Sequence, residues 1–242
     1  MELYSPKLFI EINNTKFIFT VGDQKEHNSF KFIYDQAVAI RGVENNSVSD
    51  LESAYSLIKE NIYLIEQELN YTFKEAVVIL NAFNPVFINI TGFKKLNGSQ
   101  LVKENITYIL NSLKSNINEL EDKKIILHMF NSKYCLDNKK IKNLPVGLFG
   151  DFYSHELSFS LIDGNNYKNL NKIFDKSNLK INKFLLKSFI EGTVTSDTNP
   201  EVDTFFQIHL NNDTSKLFYF ENDSLKYEQT FDFGLDIVIR DI

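Results

Sequence analysis

The side chains able to do chemistry are few, and their spacing argues against most of it. The histidines are His27, His128, His155 and His209, and the only cysteine is Cys135. His27 and His155 have no Cys, His or acidic partner at the short intervals that metal ligands need. Cys135 has neither a second thiol nor an identifiable base, so neither a metal site nor a catalytic nucleophile is read here. His128 lies inside the apolar run Ile125–Phe130, where a lone imidazole is more often a hydrogen-bonded core residue than a ligand. What remains is two polar turns. Glu11 and Lys16 bracket Asn13, Asn14 and Thr15, and Asn211, Asn212, Asp213 and Thr214 follow His209-Leu210.

Those turns need strands to hold them. Apolar residues on both sides of Asn13-Asn14 predict a tight hairpin over Lys7–Val21, with the Asn pair in the left-handed geometry that Asn tolerates. Phe30–Ile40 adds a third strand, closed into a loop by Gly42 and Asn45-Asn46. Ser49-Asp50-Leu51-Glu52 reads as a capping box, with Ser49 as the cap. Leu51, Ala54, Ile58, Ile62, Ile65 and Leu69 then recur at helical spacing. Glu75–Leu80 suits a strand covered on both faces, Asn84-Pro85 breaks the run, and Val86–Ile90 resumes it. Leu101–Leu120 carries a second apolar helical stripe, whose mixed polar face favours core packing over a membrane. Strands at Lys124–Phe130 and His155–Ile162, a helix over Tyr167–Lys176 and a strand at Ile181–Leu186 follow. Phe205–Leu210, Leu217–Phe220 and Leu225–Phe231 form a meander loosely like the first. Its strands lack covering helices in the sequence, which predicts the least stable region and an aggregation edge.

Composition narrows the function classes. The 242 residues are 43% apolar, enough for a buried core and too apolar for disorder. With 26 basic and 32 acidic residues the net charge is −6, so nucleic acid is not an expected partner. A single cysteine fits a reducing compartment. The first residues lack the pattern of a secretion signal, and the longest apolar runs are far short of the ~20 residues that span a bilayer.

The order of local motifs resembles the bacterial cell division family FtsA, within the actin-like ATPase superfamily. Glu11-Ile-Asn-Asn-Thr-Lys16 stands where that family has its first phosphate loop, and Ser49-Asp-Leu-Glu-Ser53 is similar to its Asp-Leu-Glu helix start. Ile126-Leu-His-Met-Phe130 with Tyr134 and Asp137, and Ile141-Lys-Asn-Leu-Pro-Val-Gly147 with Gly150, resemble segments of its inserted subdomain. Lys168-Asn-Leu, Leu179-Lys-Ile, Phe233-Gly234 and Arg240-Asp-Ile242 continue the series. The resemblance implies an α/β, actin-like (ribonuclease H-like) fold with an inserted α/β subdomain. Residues 1–84 and 164–200 would form a split first domain, 85–163 the inserted subdomain, and 201–242 the start of an incomplete second domain. The chain would then be an N-terminal fragment.

By the same resemblance, Glu11, Asn13, Asn14, Thr15, Lys16, Asn211, Asn212, Asp213 and Thr214 occupy the two phosphate loops for ATP with Mg. The family's glycines, which let backbone amides approach phosphates, are replaced by Asn, and His209 stands where a Mg-organising aspartate is expected. Two readings stay open: phosphate cradles, or solvated hairpin turns. The implied role is a scaffold more than a catalyst. It would be cytoplasmic, peripheral to the inner membrane at the division site, and would self-associate into filaments. It would link FtsZ filaments to the membrane and recruit late divisome proteins through the inserted subdomain. The FtsZ and membrane contacts, the latter through a C-terminal helix, would lie in a missing C-terminal part. The alternatives are a type IV pilus assembly adaptor of the PilM type and an actin-fold ATPase or sugar kinase.

Overall fold

The computed structural model describes residues 6–24 and 30–240. In chain order its elements begin with β1 (Pro6–Ile12), β2 (Lys16–Gln24), β3 (Phe30–Ala39), the two-residue strands β4 (Val43–Glu44) and β5 (Ser47–Val48), and helix α1 (Leu51–Leu69). Then come β6 (Glu75–Leu80), β7 (Val86–Lys95), α2 (Lys103–Leu120), β8 (Lys124–Leu136), β9 (Lys139–Ile141) and β10 (Phe152–Asp163). The last are α3 (Gly164–Lys176), β11 (Lys180–Leu186), α4 (Lys187–Thr198), β12 (Thr204–Leu210), β13 (Ser215–Glu221), β14 (Ser224–Phe231) and α5 (Leu235–Arg240). They fall into two lobes. Residues 1–84 with 164–190 make the first, and 85–163 with 191–242 the second.

The first lobe is built on a five-stranded sheet of order β11-β6-β1-β2-β3. β1 pairs in parallel with β6, as β6 does with β11, while β1-β2 and β2-β3 are antiparallel. Period-two alternation decides the faces: Leu8, Ile10 and Ile12 of β1 are buried with Phe17, Phe19 and Val21 of β2, and Glu11 points the other way. On α1, Ala54, Ile58, Ile62 and Ile65 are buried at helical spacing, as are Leu170, Ile173 and Phe174 of α3. The cap of α1 is Asp50 rather than Ser49. Asp50 Oδ1 accepts from the amides of Glu52 (3.0 Å) and Ser53 (3.1 Å), whereas the Ser49 amide donates to the Gly42 carbonyl. The Ser53 hydroxyl, followed by those amides, holds the Asp50 carboxyl below the usual carboxylate range.

The left-handed backbone expected of Asn13-Asn14 occurs elsewhere. Asn45-Asn46, Asp137-Asn138 and Asn222-Asp223 all have positive φ, between 49° and 62°, and each pair forms the two-residue turn of a hairpin: β4-β5, β8-β9 and β13-β14. The Asn13 turn is closed by a side chain instead.

In the second lobe, an antiparallel sheet of order β7-β10-β8-β9 carries α2 on one face. Ile106, Ile109, Leu113 and Ile117 of α2 pack with Tyr153, Leu157, Phe159 and Leu161 of β10. Gly92 permits the close approach, because a Cβ there would lie 2.3 Å from Ile109 Cγ2. The meander β12-β13-β14 belongs to this same lobe. Its last strand is tied to the larger sheet: Ser158 Oγ donates to the Leu225 carbonyl (2.9 Å), and Ser224 Oγ to the Asn131 carbonyl (2.6 Å). The buried Lys226 ammonium lies 2.5 Å from Glu156. The lobe boundary falls at Ile190/Glu191, inside α4, rather than near residue 200. The reason is visible at Gly192, which sits directly under the Phe220 ring of β13.

Candidate functional site

The first polar turn lies in the first lobe, between β1 and β2. The Asn13 amide donates to the Lys16 carbonyl (3.1 Å). Asn13 Oδ1 in turn accepts from the amides of Thr15 (3.0 Å) and Lys16 (2.7 Å) and from the Thr15 hydroxyl (3.3 Å). The loop is thus a side-chain-closed turn, in which the Asn carbonyl oxygen sits where a bound anion's oxygen would. Glu11, at the end of β1, has an 11% exposed side chain and both oxygens engaged. Its Oε2 lies 2.9 Å from Lys187 Nζ, and its Oε1 accepts from Asn81 Nδ2 at 3.2 Å. Asn14, exposed, lines a cavity of about 240 Å³ with Glu44, Asn45 and Asn46.

The second turn lies between β12 and β13, in the second lobe. Asn211 donates from its amide to the Thr214 carbonyl (2.9 Å) and from Nδ2 to the Thr214 hydroxyl (3.2 Å). The amides of Leu235 and Asp236, in the first turn of α5, donate to the carbonyls of Asn211 and Asn212 at 2.9 and 2.8 Å. Gly234 makes this possible, because a Cβ there would stand 2.3 Å from the Asn211 oxygen. Asp213 is exposed. His209 Nε2 is 2.7 Å from Gln207 Nε2, and its Nδ1 is 3.5 Å from Glu191 Oε2.

The first loop does not fit a magnesium nucleotide. Phosphate binding requires donors, and the Thr15 and Lys16 amides already have an acceptor. A hydrated divalent cation requires a carboxylate free to receive it, and Glu11 holds an ammonium group at 2.9 Å. Lys187 and Asn81 are the functional neighbours that sequence spacing missed. Asn81 follows β6, the parallel neighbour of β1, and Lys187 is 176 residues from Glu11, so only the fold brings them together.

Elsewhere the chemistry-bearing residues serve packing. His155 is 1% exposed, and its Nε2 pairs with Asn131 Oδ1 at 3.0 Å, while burial lowers its pKa to about 4. Burial likewise lowers the pKa of His128 to about 4, beside the Phe130 ring. Cys135 is a free thiol. His27 lies outside the described residues. Among the described residues, no group of three or more His, Cys, Asp or Glu side chains could hold a metal ion, and no helix is long and apolar enough to cross a membrane.

No protein-family model matches the chain. Individual proteins do. The cell division protein FtsA of Buchnera aphidicola subsp. Schizaphis graminum is 22% identical over 234 residues, covering 96% of this chain and 55% of the relative. FtsA of Escherichia coli K12 is 20% identical over 235 residues, with the same coverage. The chain is similar to FtsA at low identity along nearly its whole length. It spans about half the length of these FtsA proteins. Among solved structures, the PilM-PilN type IV pilus biogenesis complex superposes with a TM-score of 0.65 at 10% identity, over 97% of this chain and 63% of that one. The fold is actin-like, with an inserted α/β subdomain, and the FtsA similarity runs through both lobes.

Proposed function

We propose that the chain is the actin-like body of a cell division scaffold of the FtsA type, working without nucleotide chemistry. The observation that carries the first half is similarity to FtsA along 96% of the chain. The second half rests on the self-closed first loop, with Asn13 Oδ1 on its amides and Lys187 on Glu11. In this reading residues 85–163 are the inserted subdomain that meets a neighbouring protomer or a later division protein. Self-association then depends on surface complementarity rather than on ATP with Mg. FtsZ filaments, late divisome proteins and the cytoplasmic face of the inner membrane are the partners that the FtsA likeness supports. The test is a fluorescent tag on the gene at its own locus. A ring at midcell that disperses when FtsZ is depleted is the expected result. A diffuse signal, unchanged by that depletion, sinks the proposal.

The superposition on PilM favours a second reading, an adaptor for a membrane-anchored pilus assembly partner. Foci that track pilus sites and ignore FtsZ would select it.

A further inference from the structure

One end of the inserted sheet gathers three connections: the β7-α2 linker, the β8-β9 turn and the β9-β10 linker. They are laced together by backbone bonds. The Gly147 amide donates to the Leu101 carbonyl and the Leu101 amide to the Leu148 carbonyl, both at 2.9 Å. The Leu148 amide donates to the Pro145 carbonyl (3.2 Å), and Gln100 Nε2 to the Gly147 carbonyl (2.6 Å). Asp137 Oδ1 accepts from the amides of Asp151 and Phe152 at 2.8 and 2.9 Å, which pins the third connection to the second.

This rigid tip turns apolar side chains outward. Within six residues, Leu144, Val146, Leu148 and Phe149 are exposed, Leu148 by 50% and Phe149 by 70%. The amides of Val146, Gly147, Leu148 and Gly150 are all bonded within the protein, so an exposed apolar cluster on this loop can enter an apolar medium without stranding those amides. The flanking charge identifies the medium. Lys95, Lys103, Lys139, Lys140 and Lys142 are exposed around the tip, outnumbering the exposed Glu104, Asp137 and Asp151 there. Residues 85–163 carry ten lysines against eight acidic residues, in a chain whose net charge is −6. Apolar residues at an apex with a lysine belt behind them match an anionic bilayer surface, where side chains reach the acyl boundary and ammonium groups meet headgroup phosphates.

We propose that the loop of residues 143–150 and its lysine belt form a docking surface for an anionic lipid membrane. The surface stands independently of the division reading, because lipid alone probes it. The experiment is co-sedimentation of the 242-residue chain with vesicles that are about one third phosphatidylglycerol in phosphatidylcholine, beside vesicles of phosphatidylcholine only. Binding to the anionic vesicles is expected, falling as salt rises through about 0.1 to 0.5 M. Phe149→Ser weakens it about tenfold, and the triple variant Lys95→Glu, Lys103→Glu, Lys142→Glu abolishes it. Circular dichroism checks that each variant is folded, and the charge variant alters no buried side chain. Equal binding to both vesicle types, or equal binding by the folded variants, overturns the proposal. So does a chain that ignores vesicles but self-associates through Phe149, which would make this tip a contact between copies.

Discussion

Asn13→Ala probes the first loop most directly. The substitution removes the acceptor for the Thr15 and Lys16 amides, at 3.0 and 2.7 Å. A shielded hydrogen bond contributes about 0.5–1.5 kcal/mol net, and losing a comparable side-chain cap costs about 0.5–2 kcal/mol. The turn is exposed, so water takes over much of the role, and about 1 kcal/mol is the expected loss. For a chain of this length that lowers Tm by about 2–4 °C, whereas Asn13→Asp, which keeps the acceptor, leaves Tm within about 1 °C. The companion assay is calorimetry with Mg-ATP. With the loop amides occupied and Glu11 on Lys187, the unaltered protein gives no binding heat. The absence is measurable: a Kd of about 10 µM at about 1 mM ATP would stabilise the fold by about 2.7 kcal/mol and raise Tm by about 5–10 °C. Micromolar binding by the unaltered protein, with Asn13→Ala leaving both affinity and Tm unchanged, refutes the reasoning.

Acid should destabilise the inserted sheet through His155. Its pKa is about 4 in the fold and near 6.5 in the unfolded chain, so the unfolded state binds the proton first and stability falls as pH drops below about 6.5. Urea titrations should show a loss to which His155 contributes about 2 kcal/mol between pH 7.5 and pH 5, beside the contribution of His128, whose burial lowers its pKa in the same way, so that His155→Gln loses less; an identical loss in that variant excludes His155 as a cause. Gly92→Ala places a methyl 2.3 Å from Ile109 Cγ2, and is expected to cost about 2 kcal/mol with hydrogen exchange accelerated in α2; an unchanged denaturation midpoint contradicts the packing. Ile208, 61% exposed on the edge strand β12, presents an apolar face with Phe206 and Leu210. Ile208→Lys should raise the concentration at which light scattering begins while shifting stability by less than about 0.5 kcal/mol, and earlier scattering would show that the face is not the aggregation edge.

Period and length made most of the fold legible in the sequence. The first hairpin, α1, α2, α3 and the closing meander are visible because apolar residues recur every two or every three to four positions. Helix α4 is not, because Lys187–Thr198 carries threonines and Gly192 where a stripe would be. Tertiary contact sustains it, with Gly192 beneath Phe220 and the Thr195 hydroxyl bonded back to the Glu191 carbonyl at 3.0 Å. The site was legible only as a pair of turns. Asn13 announces a turn in the sequence, but whether its backbone or its side chain closes that turn depends on the strands it joins. The engagement of Glu11 depends on Lys187, which arrives from the far side of an inserted subdomain. That long-range placement separates an open phosphate loop from a closed one, and no local motif encodes it.

The bonds from Ser158 to Leu225 and from Ser224 to Asn131 also set a schedule for synthesis. They join positions 67 and 93 residues apart. A ribosome adding about 5–20 residues per second leaves β10 without its β14 partner for about 3–13 s. During that interval Ser158, fully buried in the finished lobe, is open to solvent and to other chains. The nascent β7-β10-β8 sheet would therefore stay incompletely covered until β14 has emerged. Slowing translation just before Ser224 would lengthen the period in which the half-made lobe can pair with another chain.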